Sequence, residues 1–147
     1  MEIIKGKRSF DLDEFLKKPL FAHLSTFSPE GPRQSPVWFL WENKCLWIIG
    51  TPEDTFPLRI DKHPYCAIGI VDFDSTTGKV LHAGFRGKAT VKQFNFDLAK
   101  RLFTKYLGSN ENNWDSRFKN QDPQNVFIRF EPETVVVRDQ SYSLNDE

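Results

Sequence analysis

The chain has little of what most catalytic machinery is built from. It holds two cysteines, one methionine and three histidines among 147 residues. Two cysteines make no disulfide framework. Cys45 and Cys66 each sit inside an apolar run, as reduced core thiols do. His23, His63 and His82 are scattered and share no metal-ligand spacing with the cysteines, so no metal site is expected. Charge of one sign is also missing: 20 Lys and Arg balance 20 Asp and Glu. The basic footprint of a nucleic-acid binder is therefore absent. No apolar run approaches the roughly 18–20 residues a membrane helix needs, and no apolar core follows the charged N-terminus. The expectation is a cytoplasmic protein that binds neither nucleic acid nor membrane. There is no Gly-rich phosphate loop, no Gly-x-Ser-x-Gly and no His-Glu-x-x-His. Either a cofactor carries the chemistry or the protein only binds.

Aromatic residues are plentiful, with 14 phenylalanines. Trp38, Phe39 and Trp41 fall within the run Arg33-Gln34-Ser35-Pro36-Val37-Trp38-Phe39-Leu40-Trp41-Glu42, which reads as one strand. Alternation sends Val37, Phe39 and Trp41 to one face and Pro36, Trp38 and Leu40 to the other, so both faces are apolar. Proline inside a strand points to an edge, a start or a bulge. Such a strand can present its backbone to a flat cofactor or to another subunit.

The remaining pattern is mostly short strands. Residues 21–27, 45–50, 65–72 and 80–94 follow period 2 or run apolar throughout, and 126–130 with 134–137 form a last strand bent at Pro132. Gly84 and Gly87 suggest a bulge or bend in the fifth strand. Asp11 with Glu14 forms a capping-box pattern for a short helix stopped by Pro19. A second short helix is predicted over residues 56–62 with Pro57 in its first turn. Residues 96–107 carry helical spacing, with Gly108 just past the end. The polar stretch 109–123 holds Trp114 and Phe118, which need cover, so it is expected to pack back on the barrel as a lid over a cleft. The tail after Asp139 is polar. About six strands joined by short turns predict one β-dominated domain over residues 1–147, a small antiparallel barrel.

Four segments carry a resemblance. They are the run above, then Leu46-Trp47-Ile48-Ile49-Gly50, His63-Pro64-Tyr65-Cys66-Ala67-Ile68, and Gly84-Phe85-Arg86-Gly87-Lys88-Ala89. Their order and spacing resemble the pyridoxamine 5′-phosphate oxidase-like flavin split-barrel family. The resemblance implies a six-stranded antiparallel split β-barrel of Greek-key type, a homodimer, and FMN held between subunits. It implies that the backbone of Ser35, Pro36, Val37 and Trp38 meets the polar edge of the flavin ring. It places the phosphate on Thr51, Thr55 and Arg59, with Arg33 nearby, and brings His82 toward the flavin. Hydroxyls, guanidinium groups and helix N-terminal amides suit a phosphate dianion. The family often carries Ser-x-Lys in the phosphate segment, where this chain has Asp54-Thr55-Phe56 beside Glu53. It also lacks a match to the C-terminal segment with which vitamin B6 oxidases grip their substrate, so it is not expected to be one. The implied activity is an FMN-dependent oxidoreductase acting on a small molecule. The alternatives are a non-catalytic flavin-binding or sensing barrel, or a relative that uses F420 or haem.

Overall fold

A computed structural model describes residues 1–5 and 10–145. Its strands are β1 (Glu2–Lys5), β2 (Ala22–Thr26), β3 (Arg33–Val37), β4 (Leu40–Glu42), β5 (Cys45–Gly50), β6 (Tyr65–Asp74), β7 (Lys79–Gln93) and β8 (Val126–Asp139). Its α-helices are α1 (Leu12–Leu16), α2 (Phe56–Lys62), α3 (Phe96–Leu107) and α4 (Ser116–Lys119), with a 3₁₀ turn at Glu111–Asn113. The strands pair in the order β3-β2-β6-β7-β8-β5-β4, every pair antiparallel, and β1 adds to β8 in parallel. The antiparallel path thus has seven strands rather than six. The extra one comes from the aromatic run, which is two strands and not one.

The break lies at Trp38 and Phe39. β3 pairs with β2 at one end of the path, and β4 pairs with β5 at the other. Seven flat strands at about 4.8 Å spacing would put these ends roughly 29 Å apart. Val37 and Leu40 are three Cα steps apart, at most about 11 Å. The sheet must therefore curl until its ends nearly meet, and the chain itself crosses the seam. Alternation survives the crossing. Val37, Phe39 and Trp41 pack against the barrel interior, with Leu24, Ile48, Phe85 and Phe130. Trp38 and Leu40 pack into a second cluster with Leu102, Phe103, Trp114 and Phe127. The run is apolar on both faces because a different core lies on each side of it.

Crossing the seam removes Phe39 from any ladder, and α3 supplies what the ladder does not. The Phe39 N–H donates to Tyr106 Oη (3.0 Å), and Lys105 Nζ donates to the Phe39 carbonyl (2.9 Å). Tyr106 in turn donates to the Leu20 carbonyl (2.6 Å), and Lys105 to that of Leu16 (2.9 Å). The ammonium sits 3.5 Å from the centroid of the Phe39 ring, and Trp38 stacks on Tyr106 at 4.4 Å with the planes 3° apart. α3 is placed for this by its own ends: Asn95 caps the Leu98 N–H, and Gly108 closes it at φ 91°. At the other end of the chain, the Asp11 carboxylate accepts the Glu14 N–H, as the capping pattern predicts.

The last strand runs over Val126–Asp139, one bent strand as expected. Its bend is a register shift against β7 between Arg86 and Gly87, and Pro132 lies opposite Gly87. A Cβ on Gly87 would stand 2.2 Å from the Glu131 carbonyl oxygen, so this glycine is required by the close approach. Gly84 marks no bulge. It faces outward, directly opposite Gly69. α3 covers the outer side of β4, β5 and β8, whereas among the described residues no helix covers the outer side of β2 and β6, a bare face that carries exposed Phe27, Tyr65, Val71 and Phe73. Asp72 on β6 pairs with Lys18 just after α1 (2.9 Å) and with Lys79 at the start of β7 (3.0 Å).

Tyr106→Phe leaves the Phe39 N–H without an acceptor. It should cost about 1–3 kcal/mol in urea denaturation, the usual penalty for an orphaned buried group; a loss near zero would show that the clasp is not needed. Burial pushes the Lys105 amine down to about 7. The unfolded chain then binds more protons than the folded one between that value and the ordinary 10.5. The penalty is full below about pH 7 and is relieved as pH rises toward 10.5, so stability should climb across this window. Lys105→Met should flatten the climb in a pH series of melts.

Candidate functional site

A cavity of about 860 Å³ lies between β3, the loop after β5 (residues 51–54) and the segment around α4. It is lined by Gln34, Ser35, Pro36, Val37 and Trp38, five consecutive residues. Alternate side chains of a strand point to opposite faces, so a cavity on one face cannot touch all five. It must run along the strand's edge. β3 ends the sheet path, so that edge has backbone groups with no strand partner. Pro36, which donates nothing, is tolerated there. Ile49, Phe56, Leu102 and Phe103 make the apolar floor. Trp38 and Phe118 make an aromatic wall, their ring centroids 5.5 Å apart, and the Arg117 guanidinium lies 4.7 Å over Phe118.

The residues singled out in the sequence fall into three places. Ser35, Pro36, Val37, Trp38 and Thr51 line this cavity. The Thr51 N–H and hydroxyl both donate to Asp54 Oδ2 (2.8 and 3.0 Å), so the carboxylate is turned inward on its own loop. Arg33, Thr55 and Arg59 gather elsewhere. Arg59 Nε donates to Thr26 Oγ1 (2.8 Å) and Nη1 to Thr55 Oγ1 (2.7 Å). Thr55 therefore holds the arginine and does not cap α2 with its side chain. Burial, and then the nearby Arg33, push the Arg59 guanidinium below its ordinary value. Among the described residues neither arginine forms an ion pair with a carboxylate. Phe56, standing where the family often has lysine, is buried in the barrel core. His82 is third: it sits on the outer side of β7, opposite Val71 and Arg138, away from the cavity. Burial, and then Arg138, hold its imidazole below the usual value.

Arg33 opens β3 and Trp38 follows its end. At about 3.3 Å per residue they stand roughly 16 Å apart, so one strand joins an aromatic cavity to a pair of guanidinium groups. A groove of about 530 Å³ on the bare face is lined in part by Thr26, the residue that holds Arg59, and by Phe27, Tyr65 and Arg86. The segment over residues 109–123 packs back on the barrel as its aromatics demand: Trp114 is buried and donates its Nε1–H to the Gly108 carbonyl (2.9 Å). Gln34 and Phe118 also line the cavity, and so do Gln121 and Asn125, which sequence reading did not single out. Their only signal was an aromatic residue inside a polar stretch. Among the described residues no cluster of metal-ligating side chains occurs, and no helix is long and apolar enough to cross a membrane.

The sequence pattern of the family described as Pyridoxamine 5′-phosphate oxidase matches residues 11–139. No protein of curated function matches the chain in sequence. Solved structures share the fold. Conserved hypothetical protein Rv2991 from Mycobacterium tuberculosis superposes with a TM-score of 0.76 at 13% identity, over 99% of this chain and 96% of that one. An F420 reductase gives 0.64 at 21%, over 90% and 98%. A FAD-binding protein from Mesorhizobium loti gives 0.65 at 15%, over 88% and 92%.

Proposed function

This chain belongs to the pyridoxamine 5′-phosphate oxidase-like family, and on that premise we propose that it is an FMN-dependent oxidoreductase acting on a small molecule. The observation that carries the reading is the cavity running along the unpaired edge of β3. In this reading the backbone of residues 35–38 serves the polar edge of the flavin ring. Arg33 and Arg59, with Thr55, hold the phosphate, and the spacing along β3 is about the reach of an FMN molecule. When bound, the flavin supplies hydride or electron transfer; the chain's own part is to bind, orient and exclude water. Ile49, Leu102, Phe103 and Trp38 keep the ring's surroundings apolar. The missing family lysine is made good one turn along α2, where Arg59 supplies the cation. Asp54 opposes the phosphate less than its position in the sequence suggests, because Thr51 occupies its carboxylate.

The F420 reductase and the FAD-binding protein among the similar structures favour redox work with a flavin-like ring. FMN is preferred over F420 here because the cationic site is local. Glu53, Asp54 and Asp122 border the cavity and give a long anionic tail no support. We further propose a homodimer formed through the bare face of β2 and β6, whose exposed Phe27, Tyr65, Val71 and Phe73 give it the composition of an interface core. Thr26 links that face to Arg59, so the phosphate cluster borders the proposed interface. His82 stands on the same side and would meet a flavin across it. The proposed setting is the cytoplasm, which suits two unpaired thiols, with that of Cys66 pushed up to about 11 by burial.

Gel filtration of the purified protein mixed with FMN, read at the flavin absorbance, tests both parts. Flavin should co-elute with protein at dimer size and bleach with NAD(P)H. Colourless protein at any FMN concentration contradicts the flavin reading, and flavin that binds but is never reduced points to storage or sensing. Arg59→Ala should weaken FMN binding by about tenfold or more, the scale of a lost charge-assisted hydrogen bond, whereas Lys62→Ala at the exposed end of α2 should leave it nearly unchanged. Equal effects would contradict the phosphate assignment.

A further inference from the structure

The bare face of β2 and β6 is graded along its length. Phe27 and Tyr65 stand at one end, Phe21, Val71 and Phe73 at the other, each between 45% and 67% exposed. Between the two ends the side chains shrink. Ser25 lies opposite Ala67, His23 opposite Gly69, and Gly69 opposite Gly84. The face is a saddle between two apolar ends. Nothing within the chain requires glycine at position 69. Its φ lies outside the left-handed region, and a Cβ there would meet no described atom within 4 Å. Glycine inside a strand costs stability, so the missing side chain leaves room for something outside the chain.

That room fits a second copy. A half-exposed large side chain offers roughly 100 Å², so the residues at the two ends present roughly 500 Å² per copy. A standard interface takes about 800 Å² per partner, and the saddle can supply the rest. A two-fold interface must also fit itself when turned round. This face does: about an axis near Gly69 and Val71, the apolar end of one copy comes to lie over the saddle of the other.

Seating that end takes two imidazoles out of water. His23 borders Gly69 from β2, and the His82 Cε1 stands 3.4 Å from where a Gly84 Cβ would be. His23 faces Pro36 on β3 and Gly69 on β6, and His82 faces Val71 on β6 and Arg138 on β8. Further along the face are Arg86 and Lys88 on β7, with Glu133 lining the same groove as Arg86. Among the described residues neither imidazole forms an ion pair. A proton gained here therefore adds to a cationic surface that meets its own copy. Resting on the homodimer reading above, we propose that this interface is pH-sensitive: the saddle at Gly69 receives the apolar end of the partner, and protonation of His23 and His82 releases it. The dimer binds fewer protons than the separate copies, so it is tightest above about pH 6.5 and loosens as pH falls.

Sedimentation equilibrium of the full-length protein without flavin, at about pH 8 and about pH 5.5, tests this, with circular dichroism to keep folding apart from association. One unit below the ordinary imidazole value, each histidine that must shed its proton weakens association by up to about tenfold. With four such groups in a dimer, the dissociation constant should rise about a hundredfold or more. The double variant His23→Gln/His82→Gln should dimerise with nearly the same constant at both values. Gly69→Thr fills the saddle with a residue that suits a strand. It should fold at least as stably as wild type and remain monomeric at both values. Equal constants for wild type at the two values overturn the proposal, as does a pH dependence that survives in the double variant. Gly69→Thr that dimerises as well as wild type shows that the saddle lies outside the interface and overturns it too. Wild type that is monomeric at about pH 8 overturns the homodimer reading itself, and this inference with it.

Discussion

The hydrogen bond that Tyr106 accepts from Phe39 N–H and the one that Lys105 donates to its carbonyl hold the molecule to its shape. A chain that runs from one end of a seven-stranded sheet to the other in two residues must leave the ladder to do so. The groups it frees lie between two cores, where water cannot serve them. Two adjacent residues on one helix meet the N–H and the carbonyl of one crossing residue. The same two side chains reach back to Leu20 and Leu16, so the crossing, α1 and α3 are fixed together.

The candidate site follows from this arrangement. Because the aromatic run splits, β3 ends the sheet and has an edge to offer. Because Trp38 stacks on Tyr106, a large aromatic face stands at the end of that edge. Because α3 lies over β4 and β5, Leu102 and Phe103 floor the cavity, and the segment after the helix closes its far side. The site is a consequence of closing the barrel with the chain itself.

Much of this was legible from residue order. The strands read over residues 65–72 and 80–94 form, as β6 and β7, and α3 carries both its spacing and its end signals. The assignment of Val37, Phe39 and Trp41 to one face and Trp38 and Leu40 to the other was right. The single strand drawn through them was not, because side-chain alternation continues through a seam where hydrogen bonding does not. The bend of β8 at Pro132 was legible from the proline, and the structure shows how it is accommodated, by a register shift opposite Gly87. The cavity residues 35–38 were legible only through their resemblance to a family. Asn125 was not legible at all: an asparagine in a polar loop is ordinary until the fold brings it to the cavity wall. The bond between Thr55 and Arg59 was not legible for a similar reason, since Arg59 could be placed only once Thr26 had come up beside it.

Amide hydrogen exchange with and without FMN tests the central claim, that the unpaired edge of β3 is where the ring binds. FMN should slow exchange at Gln34 and Trp38, whose N–H groups face that edge, and leave the amides of the β6–β7 ladder unchanged. Unchanged exchange along β3 in protein saturated with FMN would contradict the account.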